Sequence, residues 1–140
     1  MPDVPSHISP APPRRARLRV AYPQVFVTDI ARAVAFYRDR LGFSVAYLYG
    51  EPPFYGLVTR DGVGLNLRHV DGPVIDRSHD ESLLTAGIPV DDVGALYEEL
   101  QTQGAHFAQA LKSQPWGTTD FVVEDPDGNL LCFYQQVASD

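Results

Sequence analysis

The feature that most constrains the fold of this chain is an internal repeat, which spans residues 22–70 and again residues 85–135. Each copy reads as an apolar strand, a helix that begins at an acidic cap and ends at glycine, two strands, an Asp-Gly turn and a last strand. Asp29 corresponds to Asp92, and Gly62 to Gly128, so the spacing between the copies stays nearly constant. Self-similarity of this kind is typical of a duplicated supersecondary unit.

A single copy would be a small curled sheet with a helix on one face, and it could not cover its other face. Two copies together can close a cup. We therefore predict an α+β fold of two tandem βαβββ modules, which form a curled mixed-sheet cup with the helices on its outer face. The 140 residues and 15.5 kDa fit one domain, residues 20–140, made of module one (20–72), a linker (73–82) and module two (83–137).

Residues 1–19 are rich in proline and lack a periodic apolar pattern, which predicts a disordered tail. The tail holds four of the 11 basic residues but only one of the 18 acidic residues, so the rest of the chain is more acidic than the net charge of −7 indicates. An acidic body repels the phosphates of nucleic acids and attracts cations, although ordinary solubility is the simpler explanation of its charge. We expect no nucleic-acid partner.

The single Cys132 cannot form a disulfide within the chain, so nothing in the sequence requires an oxidising compartment. Residues 1–19 lack the apolar run of a signal peptide, and no later segment approaches the ~20 apolar residues of a membrane span. We therefore expect a cytoplasmic protein that does not enter membranes.

Strand alternation divides the side chains between the helix side of each sheet and the concave face of the cup. In module one, Val25, Val27, Leu65 and Leu67 are predicted to pack on the helix. The residues that alternate with them are expected on the concave face: Tyr22, Gln24, Phe26, Asn66 and Arg68. In module two, the concave positions are Thr85, Gly87, Pro89, Leu130, Cys132 and Tyr134.

Several aromatic residues fall on the concave positions or on the neighbouring loops: Phe26, Tyr47, Tyr49, Phe54, Tyr55, Trp116 and Tyr134. Core packing or a dimer contact would explain any one of them equally well. As a set they predict a slot for a flat ligand. A cationic ligand would gain further from the aromatic faces and from the acidic body.

The chain resembles the vicinal oxygen chelate superfamily, which contains glyoxalases, extradiol dioxygenases and bleomycin resistance proteins. The resemblance covers residues 22–136 and rests on the TRDG turn and three longer segments. These are VTDIARAVAFYRDRLGF (27–43), IPVDDVGALYEEL (88–100) and QPWGTTDFVVEDPDGNLLCF (114–133). The segments are specific for the fold and less so for activity, because one fold here serves several chemistries.

In metal-dependent members of that superfamily, each module supplies a ligand early in its first strand and another on its last strand. The resemblance places these four positions at Tyr22, Asn66, Thr85 and Cys132. Divalent metals prefer imidazole, carboxylate or thiolate groups, so only Cys132 fits, and one ligand does not hold an ion. We expect no metal, no cofactor and no catalytic residue.

Other residues are weaker candidates for metal binding or catalysis. His69, His79 and His106 have no partner at ligand spacing and are interpreted as solvated or satisfied side chains. Cys132 has no basic neighbour in sequence and is interpreted as an inert residue of the cavity lining. The acidic segment 124–127 is explained by its Asp-Pro-Asp-Gly turn, since it lacks the spacing of a calcium loop.

Within the superfamily the resemblance is greatest to the bleomycin resistance proteins, which are metal-free dimers that sequester their drug unchanged. It implies that Trp116 and Phe54 form opposite aromatic walls of a groove shared between module one of one subunit and module two of the other. Arg68 stands at a small polar position of those proteins. The full set of ligand-binding candidates is Phe26, Tyr47, Tyr49, Phe54, Asn66, Arg68, Trp116, Cys132 and Tyr134.

The favoured interpretation is a metal-free homodimer that sequesters a planar aromatic antibiotic or metabolite, either neutral or cationic. A metal-dependent lyase, isomerase or dioxygenase of the glyoxalase type is the first alternative. A biosynthetic carrier or partner protein is the second.

Overall fold

The computed structural model describes residues 14–76 and 83–137. Residues 1–13 of the predicted tail and 77–82 of the predicted linker, with His7 and His79, lie outside the described residues. Residues 14–19 are exposed and have no regular secondary structure. The elements, in chain order, are β1 (Gln24–Val27), α1 (Ile30–Asp39), β2 (Ser44–Tyr49), β3 (Tyr55–Arg60), β4 (Val63–His69), β5 (Ala86–Pro89), α2 (Val93–Thr102), β6 (Phe107–Ser113), β7 (Thr118–Glu124) and β8 (Leu130–Gln136).

The strands form two four-stranded sheets with the same topology. The first has the order β1-β4-β3-β2 and the second the order β5-β8-β7-β6. In each sheet the first and last strands of the module pair in parallel, and the other pairs are antiparallel. The predicted α+β class and the two tandem βαβββ modules are confirmed.

Matching caps begin and end the two helices. Asp29 Oδ1 accepts a 3.0 Å hydrogen bond from the Arg32 amide, and Asp92 Oδ1 accepts one of 3.0 Å from the Ala95 amide. Each carboxylate satisfies an amide that has no partner within its helix. After each helix a glycine has a positive φ: 74° at Gly42 and 79° at Gly104. The acidic and glycine signals of the repeat therefore correspond to real helix ends.

One hydrophobic core joins the helix sides of both sheets. Val25, Val27, Leu65 and Leu67 are fully buried, as strand alternation predicts. Their cluster continues without a break into module two: Ile88, Val93, Leu100, Phe121, Val123, Leu131 and Phe133. The face of each sheet opposite its helix, the concave face, is therefore turned away from the common core.

The Asp-Pro-Asp-Gly turn after β7 connects module two to module one. Asp127 Oδ1 accepts hydrogen bonds from the amide and hydroxyl of Thr28, the latter at 2.6 Å, and lies 3.3 Å from the Arg32 guanidinium. Across another part of the boundary, Arg60 forms a bidentate ion pair with Glu99 at 2.7 and 2.9 Å. Asp127 Oδ1 is thus bound by protein donors, which agrees with the turn interpretation of this segment.

Local irregularities shape the start of β1 and the course of β6. Tyr22 precedes β1, and Pro23 has no amide to donate to the ladder, although its carbonyl accepts from Asn66. Strand β6 continues to Ser113 with two register shifts against β7. No helix among the described residues has the length and apolar character needed to cross a bilayer.

Candidate functional site

A cavity of about 440 Å³ lies on the concave face of module two. Strands β5, β6, β7 and β8, the segment before β5 and the loop before β7 provide its lining: Leu84, Gly87, Ala108, Gln109, Gln114, Trp116, Thr118, Asp120, Val122, Cys132 and Tyr134. Every lining residue belongs to module two. Three of the nine predicted ligand-binding residues, Trp116, Cys132 and Tyr134, therefore meet at one cavity.

The loop between β6 and β7 presents Trp116 at this cavity. Its turn is closed by a hydrogen bond from the Gly117 amide to the Gln114 carbonyl and another from the Gln114 amide to the Thr118 carbonyl. Gly117 has a φ of 100°, which a residue with a side chain rarely adopts. Trp116 is 71% exposed, so its indole has no protein partner over most of its surface.

Asp120 is a buried carboxylate in the same cavity, only 5% exposed. Its Oδ1 accepts hydrogen bonds from the side-chain amides of Gln109 at 2.7 Å and Gln114 at 2.9 Å, and its Oδ2 accepts one from the Thr118 hydroxyl at 3.2 Å. None of these four residues is among the ligand-binding residues predicted from the sequence. Alternation along Thr118–Glu124 carried the signal for Asp120, because the apolar Phe121 next to it belongs on the helix side.

Cys132 and Tyr134 line the cavity from β8. Burial raises the pKa of the Cys132 thiol, and the charge of Asp120 raises it further. The thiol therefore stays protonated and is a poor nucleophile at neutral pH, in agreement with the inert interpretation. The Tyr134 ring passes over Gly87, where a Cβ atom would lie 3.6 Å from it.

The concave face of module one carries five of the other six candidates in two rows across the sheet. Strand pairing places Gln24, Asn66, Leu57 and Tyr47 in the first row. The second row contains Phe26, Arg68, Tyr55 and Tyr49. Tyr22 lies beside them with its ring against Gly64, where a Cβ atom would approach the ring to 2.5 Å.

Phe54 packs on this face from the loop before β3. Its ring meets Tyr49 edge to face, with 5.5 Å between the ring centroids. The close approach of the loop requires Gly50, where a Cβ atom would lie 2.3 Å from the Phe54 ring. Phe54 is 51% exposed and Tyr49 is 66% exposed, so the pair presents its outer surfaces to solvent.

A second cavity, of about 580 Å³, lies between the modules on their helix sides. The Arg60–Glu99 ion pair borders it. None of the predicted ligand-binding residues lines it.

The side chains at the four positions that the resemblance assigns to metal ligands do not fit a divalent ion. Tyr22 offers a phenol, Asn66 an amide, Thr85 a hydroxyl and Cys132 a thiol whose pKa is raised. Such ions prefer imidazole, carboxylate or thiolate ligands. Among residues 14–76 and 83–137, no three His, Cys, Asp or Glu side chains are grouped so as to hold a metal. His106 instead pairs with Glu124 at 3.3 Å.

Comparison with known proteins gives consistent matches. Residues 19–133 match the family described as the Glyoxalase/Bleomycin resistance protein/Dioxygenase superfamily. A bleomycin resistance protein of Geobacillus stearothermophilus is 33% identical over 129 residues, which cover 84% of this chain and 96% of the relative.

Two solved structures share the fold, each with a TM-score of 0.70. The bleomycin resistance determinant encoded on the transposon Tn5 is 24% identical, and the match covers 85% of this chain and 98% of that one. A bleomycin-binding protein complexed with bleomycin is 22% identical, with coverage of 85% and 99%.

Proposed function

Because the chain belongs to the glyoxalase/bleomycin resistance protein/dioxygenase superfamily, we propose that it is a metal-free binding protein that sequesters a planar aromatic antibiotic or metabolite. The observation that carries the proposal is the exposed aromatic surface on both concave faces. Trp116 is 71% exposed beside the module-two cavity, and the Tyr49–Phe54 pair is exposed on module one. Exposed apolar patches of this kind mark ligand or subunit interfaces.

The proposed binding unit is a homodimer with two grooves. Each groove combines the concave face of module one from one subunit with the module-two cavity of the other. Every residue that lines the module-two cavity belongs to module two, so module one of the same chain contributes no wall to it. All six residues of the edge strand β2 are exposed, which supports a further copy as the cover for this part of the sheet.

In this groove, Trp116 and Phe54 are the aromatic walls on either side of the ligand. Each ring that the ligand buries is worth ~1.5–3 kcal/mol before ordering costs are subtracted. Protection by sequestration requires affinity and abundance but no turnover. The mismatched donors at Tyr22, Asn66, Thr85 and Cys132 support binding over metal-dependent catalysis.

Tryptophan fluorescence tests this function directly, since Trp116 is the one tryptophan of the chain. Bleomycin titrated into protein dialysed against EDTA should quench the Trp116 emission saturably, because a stacked ring contacts the indole. A matched titration of Trp116→Phe by calorimetry should show weaker binding with an unchanged melting temperature. If neither bleomycin nor other planar aromatic antibiotics quench the Trp116 emission at high concentration, the proposed function is refuted.

A further inference from the structure

Asp120 is a buried carboxylate with an incomplete set of partners. A carboxylate offers about four acceptor positions, and Asp120 uses three of them. Both glutamine donors bind Oδ1, whereas Oδ2 receives only the Thr118 hydroxyl at 3.2 Å. One acceptor position on Oδ2 is therefore left beside the cavity.

All three donors to Asp120 are neutral, and no Lys, Arg or His pairs with it among the described residues. A buried charge is ordinarily paired, because removing it from water is costly. Asp120 is only 5% exposed, and its charge acts on the neighbouring Cys132 thiol. The cavity therefore contains an unneutralised negative charge.

The surrounding network holds this carboxylate in one orientation. Gln109 reaches it from β6 and Gln114 from the loop that carries Trp116, at 2.7 and 2.9 Å. The short segment from Gln114 to Trp116 thereby fixes the distance between the Asp120 carboxylate and the Trp116 indole. A ligand with a flat ring and a nearby positive group would match both features at once.

We propose that Asp120 is a specificity-determining residue of the groove, which accepts a hydrogen bond from a protonated nitrogen of the ligand through Oδ2. The inference rests on the proposed binding function and limits the preferred ligands to aromatic cations. Ammonium and guanidinium groups meet both needs of Asp120, because they supply a hydrogen-bond donor for Oδ2 and a positive charge that pairs with the carboxylate. Trp116 then contacts the ring of the same ligand.

A purely structural role is the competing explanation, because Asp120 also anchors the Gln114 loop. The two roles differ in what they do to ligand preference. If Asp120 only positions Trp116, its loss weakens neutral and cationic aromatics equally. If it binds the cation, its loss weakens the cationic ligand alone.

The test compares two probes with the same fluorophore on the full-length protein: dansylcadaverine, which carries a primary ammonium, and its N-acetylated derivative, which does not. Wild-type protein should bind the ammonium probe about tenfold to a hundredfold more tightly than the acetylated one. In Asp120→Asn this preference should disappear while the acetylated probe keeps its Kd. Asp91→Asn is the matched control, since it removes the same charge from an exposed position.

Equal affinity of wild-type protein for the two probes would overturn the role of Asp120 and leave the aromatic groove standing. An Asp120→Asn variant that retains the preference would overturn it too. If neither probe nor bleomycin binds, the proposed function itself fails. Should Asp120→Asn not fold, Asp120→Ser decides, since it also removes the charge and keeps a small polar group at the cavity. Its preference for the ammonium probe should disappear, and a retained preference would contradict the inference.

Discussion

The Tyr37 hydroxyl donates a 2.9 Å hydrogen bond to Asp125 Oδ2 and so joins α1 of module one to the turn before β8 in module two. Tyr37 is fully buried and Asp125 is 4% exposed. The same carboxylate accepts hydrogen bonds from the Asp127 amide and from the backbone and side-chain amides of Asn129. Four donors therefore depend on one side chain at the boundary between the modules.

Asp125→Ala should lower the free energy of unfolding by ~2–4 kcal/mol, because it leaves several buried donors without an acceptor. Tyr37→Phe should cost ~1 kcal/mol, since it removes one hydrogen bond and keeps the ring packing. Urea unfolding curves measure both values. Asp91→Ala, at an exposed position, should change stability by no more than ~0.5 kcal/mol. An equally small effect of Asp125→Ala would show that the turn does not hold the modules together.

The shifted pKa of Asp125 predicts that the free energy of unfolding depends on pH. Burial raises the pKa of Asp125 above 3.8, although its hydrogen bonds act in the opposite direction. A raised pKa means that the folded state binds the proton more tightly than the unfolded state does. The contribution of this group to stability is therefore complete below pH 3.8 and is lost as pH rises through the folded-state pKa.

Asparagine at position 125 cannot ionise in this range. The destabilisation caused by Asp125→Asn, relative to wild type, should therefore be largest near the acid end of the stable range and smaller at pH 7. Urea unfolding of both proteins across this range gives the difference directly. A destabilisation that grows with pH would mean that folding lowers the pKa of Asp125.

Mixing two binding-deficient variants tests the shared groove. Phe54→Ala homodimers lack one wall in both grooves, and Trp116→Ala homodimers lack the other. A heterodimer of the two has one groove with both walls and one with neither, if each groove combines module one of one subunit with module two of its partner. Refolding an equal mixture should restore about a quarter of the grooves to wild-type affinity for bleomycin.

Isothermal titration calorimetry of the mixture with bleomycin measures the fraction of restored grooves as a separate class of high-affinity sites. The unmixed variants provide the baseline, and their melting temperatures should match wild type because both rings are mainly exposed. If mixing restores no tight sites although heterodimers form, then the groove lies within one subunit.

The Cys132 thiol should react slowly in the folded protein. Its buried position and raised pKa predict alkylation by iodoacetamide at pH 8 at least about tenfold slower than in urea-unfolded protein. Bound bleomycin should slow it further, because Cys132 lines the cavity. Cys132→Ser gives the background labelling. Equal rates in the folded and unfolded protein would place an activated thiolate in the cavity instead.

The repeat in the sequence was sufficient to predict the modules, the helix caps and the division of strand faces. These features depend on local spacing, as at Asp29 and Asp92, whose carboxylates cap the helices. The Tyr37–Asp125 contact joins residues far apart in the chain, and no local pattern indicates it.

The Asp120 network escaped prediction for a different reason. Alternation along β7 could place Asp120 on the concave face, but its partners come from β6 and the following loop. Strand β6 shifts register against β7 between Phe107 and Gln109 and again between Gln109 and Lys112. Each shift changes which side chains face the cavity, so the pairing of Gln109 with Asp120 could not be read from spacing.

The most direct test of the account is calorimetric titration of EDTA-dialysed protein with bleomycin, followed by mass spectrometry of the recovered ligand. We predict saturable binding without added metal, one ligand per subunit in a dimer, and a ligand of unchanged mass. Binding that requires a divalent ion, or a ligand recovered with altered mass, would contradict sequestration and indicate an enzyme.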